Sequence, residues 1–183
     1  MSRVAPVEAP YSEALQERFG QVLPPNVEPP VLYRIVARNE SLFLNLVDNG
    51  TLGATGLFDR GTLGQRLREL LILRTCHAAT NDYEWNLHVG IGLSALMGLS
   101  VEEIADTREE KPAVETWSPA ELLAMELADA LVRRIAVEET LFERLREHFD
   151  EPTLIEMTQL IGWYTTVAMQ VALTRPTLDR YRL

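Results

Sequence analysis

The chain has 183 residues, 46% hydrophobic and 24% charged, the balance of a folded globule with length enough for one substantial core. Its formal net charge of -10 argues against a nucleic-acid or anionic-membrane surface, because phosphate binding needs clustered Lys and Arg. A single cysteine, Cys76, excludes an intramolecular disulfide and any cysteine-only metal cluster.

The opening MSRVAPVEAPYSEALQ carries two acids and no apolar stretch, so it does not read as a signal peptide, and a reducing, cytoplasmic compartment is expected. Pro6, Pro10, Pro24, Pro25, Pro29 and Pro30 mark residues 1–30 as an irregular arm, with room for one helical turn between Ser12 and Phe19. A helical domain is expected over 31–183. The apolar pattern predicts a helix from about Val31 to Asp48, with a break near Asn39 and an end at Asn49-Gly50. Thr62 to Gln65 has capping-box spacing, which predicts a helix running to about Ala79. Asn81 to Glu84 restarts the pattern, and that helix is expected to continue to Met97, with Gly98 in the left-handed position after it.

Ser100 to Glu103 predicts a short capped helix. Ser118-Pro119-Ala120-Glu121 predicts a long one to about Ile135, with Ser at the cap, Pro in the first turn and Glu at the third position. Thr140 to Phe149 and Pro152 to Leu173 supply the last two. The run from Leu160 to Leu173 is interrupted by Gly162, Thr165, Thr166 and Gln170, so it reads as a buried helix and not as a membrane span. No run alternates with period two long enough for a sheet, so the fold class is all-α.

The informative block is RELLILRTCHAATNDYEWNLHVG, positions 68–90. Glu84 and His88 are four apart and share one helical face, and Glu69 lies on the preceding helix. A buried carboxylate beside an imidazole makes a proton-transfer unit, because one group fixes the tautomer of the other and tunes its pKa. Plainer roles stay open: Glu84 as the acidic third residue of a cap, His88 as a core histidine, Glu69 as a solvated partner of Arg68. Arg74 and Arg68 are candidate anchors for a substrate carboxylate, and Tyr83 and Trp85 are candidate substrate contacts, although Trp85 serves a core equally well. Cys76 reads as an inert buried thiol. No metal site and no cofactor is expected.

At this block the sequence resembles the carboxymuconolactone decarboxylase and AhpD-like alkylhydroperoxidase superfamily. The peroxidase branch carries a glutamate and then C-x-H-C-x-x-x-H on the following helix. Here His88 matches the distal histidine and Glu69 the proton-relay glutamate, while Asn81 and Glu84 stand where the two cysteines would be and Tyr83 replaces the intervening histidine. The tail GLSALMGLSVEEI, with Gly98 and Glu103, matches the G-x-[ST]-x-x-E-[IV] part of the family's A-x-x-x-G-x-[ST]-x-x-E-[IV] run. The resemblance implies an AhpD-like helical bundle and a homo-oligomer, trimer or hexamer, acting on a small molecule.

Thiol peroxidase or peroxiredoxin-like chemistry needs a nucleophilic thiolate and a resolving cysteine, and Cys76 lies outside both motif positions. What the resemblance leaves is a cofactor-free acid–base lyase acting on a small lactone or enolisable carboxylic acid. In that scheme His88 is the proton donor, Glu84 orients it or holds its charge, and Glu69 is a second relay. The alternatives are the peroxidase-like activity and a non-catalytic oligomeric protein that binds a small molecule.

Overall fold

The computed structural model describes residues 2–25, 27–52 and 63–179. Among them the structure is all-helical, with ten helices and no strand. They fall into two compact units, one within Met1–Gly61 and Val171–Arg180, the other within Thr62–Gln170.

In the first unit, the segment expected to be an irregular arm holds a ten-residue helix, α1 (Glu13–Val22). The Ser12 side chain caps it by accepting from the Leu15 amide, and no proline falls between Pro10 and Pro24 to stop it. The expected helix over 31–48 is two helices, α2 (Val31–Val36) and α3 (Glu40–Asp48). The break falls near Asn39, as the sequence suggests, because Asn39 Oδ1 accepts from the Leu42 amide and starts a new cap. Leu15 and Phe19 of α1 pack with Phe43 and Val47 of α3, and the Phe19 and Phe43 rings stand 4.9 Å apart.

The second unit is organised around α4 (Gln65–Ala78), in which eight consecutive residues, Glu69 to Cys76, are buried. A helix buried on every side lies at the centre of its core. Leu70, Leu71, Ile72 and Leu73 are fully enclosed, and each such side chain contributes about 1.5–3 kcal/mol. The helix starts at Gln65 with Gly64 at the cap position and no side-chain cap bond, later than the Thr62 box implies; Thr62 itself lies outside the described residues.

A three-residue link joins α4 to α5 (Asp82–Gly90). Thr80 adopts the left-handed conformation at φ 55°, and the Asn81 amide donates to the Cys76 carbonyl at 2.7 Å, which closes the end of α4. Asn81 Oδ1 then accepts from the Glu84 amide and caps α5. So short a link makes the two helices antiparallel neighbours.

The helix expected to run on to Met97 stops at Gly90. Gly92 takes φ 72° and turns the chain into α6 (Leu93–Leu96), a conformation that β-branched Ile91 and Val89 would resist. Gly98 is left-handed at φ 91°, as expected.

Helix α7 (Val101–Asp106) and helix α8 (Pro119–Arg134) both open with full capping boxes, Ser100 with Glu103 and Ser118 with Glu121. Arg66 on the first turn of α4 links both boxes, with Nη2 2.5 Å from Glu103 and Nε 2.8 Å from Glu121. Between α7 and α8, Asp106 accepts from the Ala113 amide and the Trp117 indole, which orders the charged connector. Helices α9 (Glu139–Arg146) and α10 (Glu151–Thr174) are the last two among the described residues. No helix among the described residues is long and apolar enough to cross a membrane.

Candidate active site

Glu69 of α4 is a carboxylate in the middle of a buried apolar run, 1% exposed, and so must find hydrogen-bond donors inside the protein. It finds two. His88 Nδ1 lies 3.0 Å from each carboxylate oxygen, and Ser94 Oγ donates to Oε1 at 2.6 Å. The solvated Arg68–Glu69 pair open from the sequence is therefore replaced by a buried Glu69–His88 pair.

Residue counting from the link leaves Glu69 and His88 offset. Glu69 is about 14 Å up α4 from Ala78 and His88 about 9 Å along α5 from Asp82. That offset is less than one helical turn, and the two side chains span it.

Burial works against both charges, and the pairing outweighs it. For His88, desolvation lowers the pKa, but the bonds and charges of Glu69 and Glu84 raise it from 6.5 to about 9. For Glu69, desolvation raises the pKa, but the His88 bond and charge, Ser94 and the charge of Arg68 bring it below its ordinary value. An imidazolium held on a carboxylate is therefore the state at neutral pH. Nδ1 donates to Glu69, which leaves the Nε2–H as the free end of the ring.

Two groups stand at that free end. Glu84 Oε1 is 3.7 Å from Nε2, one helical turn back on α5. The Tyr164 hydroxyl of α10 is 3.4 Å from Nε2, with its ring edge-on to the imidazole at a centroid distance of 5.7 Å. Burial, followed by the charge of Glu84, pushes the Tyr164 hydroxyl well above its ordinary pKa, so it stays protonated and able to donate. Glu69 thus holds the Nδ1 side of the ring, and Glu84 faces Nε2.

The structure brings Glu69, Glu84 and His88 together. It adds Ser94 and Tyr164, neither of which the sequence reading identified. Ser94 follows the unexpected turn at Gly92, and Tyr164 comes from 76 positions beyond His88 in an apolar helix, where no local pattern marks it.

Arg74 is a correction. It is 1% exposed, its Nη2 is 2.5 Å from Asp129, and its Nη1 donates to the carbonyls of Thr107 and Glu109, so its guanidinium is committed to the fold and not to a substrate. Trp85 is likewise structural: its indole donates to Thr107 Oγ1, its ring packs on the core around Leu70 and Met125, and Arg108 lies over it at 4.1 Å. Tyr83 is buried in the core beside Glu84 in sequence, a spacing that faces another direction on a helix. Arg68 is half-buried, and its charge acts on both Glu69 and Tyr164, so it lies within electrostatic reach of the site.

Cys76 is fully buried, and desolvation followed by the charges of Glu84 and Glu69 raises its pKa well above normal. That suppresses the thiolate. Among the described residues no group of three or more His, Cys, Asp or Glu is arranged to hold a metal ion.

No curated protein sequence matches the chain. Among solved structures, the apo debrominase Bmp8 is similar with a TM-score of 0.78 at 14% identity, covering 96% of this chain and 91% of that one. A cysteine-to-alanine variant of that debrominase in complex with 2,3,4-tribromopyrrole is similar with a TM-score of 0.72, at the same identity and coverage. These likenesses establish a shared fold. The resemblance read from positions 68–104 is borne out by a family match: over residues 50–130, which contain Glu69, Glu84 and His88, the chain matches the carboxymuconolactone decarboxylase family.

Proposed function

We propose that the protein is a cofactor-free acid–base lyase acting on a small lactone or enolisable carboxylic acid, with His88 as the proton donor. The observation that carries this reading is the buried imidazolium: a histidine held at a pKa of about 9 between Glu69 and Glu84 is charged at neutral pH and turns its Nε2–H towards Glu84 and the Tyr164 hydroxyl. In the reaction the carbon–carbon bond to the substrate carboxylate breaks, carbon dioxide leaves, and the electron pair passes into an enolate. His88 returns a proton to carbon from Nε2. Solvent then reprotonates the imidazole, and Glu69 holds the ring in register throughout. Arg68 is the candidate anchor for the carboxylate. The Tyr164 hydroxyl, protonated and 3.4 Å from Nε2, is placed to donate to the enolate oxygen. The family resemblance adds a homo-oligomer of three or six, which light scattering would test.

A similar fold in complex with a brominated pyrrole supports a small-molecule site. A thiol route is disfavoured, since the one cysteine of this chain, Cys76, is enclosed and held as the thiol. The test is a screen of lactones and β-keto acids with wild type and His88→Gln. Turnover in wild type that His88→Gln abolishes is the expected result. Full turnover in His88→Gln would remove the mechanism, and an inactive wild type would favour a non-catalytic binding protein.

A further inference from the structure

The Glu84 side chain is only 9% exposed, and its carboxylate is used on one side only. Oε1 faces His88 Nε2 at 3.7 Å, while Oε2 is buried and accepts no hydrogen bond from the described residues. A buried carboxylate oxygen without a donor is costly, because desolvation is not repaid. Glu69, the other carboxylate of the site, shows how the fold treats such a group when the role is internal: it supplies both His88 and Ser94 as donors. Nothing comparable is supplied to Glu84 Oε2.

The edge of the site around Nε2 therefore presents two donors, the imidazolium N–H and the Tyr164 hydroxyl, beside one unsatisfied acceptor. Glu84 Oε1 lies 3.7 Å from His88 Nε2 and Oε2 is bonded to the same carbon, so one molecule that pairs with both groups carries its donor close to its acceptor. We infer that Glu84 Oε2 receives an O–H or N–H group of the substrate, next to the oxygen that His88 and Tyr164 address, so that the ligand class is a carbonyl compound with a hydroxyl or N–H on the adjacent atom.

This rests on the acid–base reading and narrows its substrate class: a simple lactone offers an acceptor but no donor and leaves the Glu84 oxygen unpaired. Sites built to pair a substrate donor discriminate strongly against analogues that lack it. Glu84 is then a substrate-contacting residue, and Tyr164 addresses the carbonyl.

Calorimetric titration with two probes tests the assignment. Acetohydroxamic acid has a carbonyl with an N–OH beside it, and N,N-dimethylacetamide has the carbonyl alone. Wild type is expected to prefer the hydroxamate by about tenfold or more, the weight of one buried hydrogen bond. Glu84→Leu should erase the preference, Glu84→Gln should reduce it, and Tyr164→Phe should weaken both probes together. Each variant is checked for a helical circular dichroism spectrum, and Glu84→Gln keeps the test open if Glu84→Leu fails to fold. Equal binding of the two probes to wild type, no binding of the hydroxamate, or a preference that survives loss of the carboxylate would each overturn the assignment. An inactive wild type in the substrate screen would remove the lyase reading and leave this binding preference standing by itself.

Discussion

Both carboxylate oxygens of Glu69 lie 3.0 Å from Nδ1 of His88, and Ser94 holds one of them from the other side at 2.6 Å. The imidazole is thus fixed in rotation and charged in a place where burial alone would discharge it. Removing the charge of Glu69 while keeping its shape should let desolvation take over. We predict that Glu69→Gln lowers the His88 pKa from about 9 by at least about one unit, read from the imidazole C–H resonances in an NMR titration. An unchanged titration would mean that Glu84 alone sustains the charge.

The same pair makes stability depend on pH in a definite direction. The folded pKa of His88 is raised above its unfolded value, so its contribution is fully present below about pH 6.5 and is lost as pH rises through about 9. A shift of that size corresponds to a contribution on the order of 3 kcal/mol at most. Urea unfolding of wild type and His88→Gln should show their stability difference shrinking between pH 6 and pH 10. A difference that grows over that range would contradict the assignment.

Arg74→Met is expected to destabilise the protein by about 3 kcal/mol, because it leaves Asp129 and the carbonyls of Thr107 and Glu109 without their donor. Asp129 is partly solvated, which moderates the loss. Folded Arg74→Met should keep the wild-type KM on any substrate found. A rise in KM at unchanged stability would restore Arg74 as a substrate anchor.

Cys76→Ala should fold and should cost about 1–2 kcal/mol, the loss of one small enclosed apolar group. Turnover should be preserved. In wild type the thiol should react with a disulfide reagent only after denaturation. Rapid labelling of the native protein, or inactivity of the alanine variant, would reopen thiol chemistry.

The features legible in the sequence are those set by near neighbours. Ser100 with Glu103, and Ser118 with Pro119 and Glu121, start helices where local hydrogen bonding dictates, and Glu84 with His88 share a face because a helix repeats. Asn39 marks a real break for the same reason. The rest depends on partners far away in the chain. Arg74 looks like a free cation until Asp129, 55 positions on, claims it. Glu69 looks solvated beside Arg68 until α4 proves buried on all sides. Spacing shows which residues share a face but not which ring nitrogen each carboxylate meets: Glu69 lies on Nδ1 and Glu84 faces Nε2.

The site also has an order of assembly written into the chain. Glu69 and Ser94 are 25 positions apart, with His88 and Glu84 between them, whereas Tyr164 meets His88 across 76. Closing the longer loop costs more chain entropy, and contacts at short separation form first. The charged pair can therefore exist in a helical hairpin before the phenol arrives, and Tyr164 completes the site only when the last long helix docks. In pulse-labelled hydrogen exchange, amides of α4 and α5 should gain protection ahead of those around Tyr164; simultaneous protection would show that the whole unit condenses in one step.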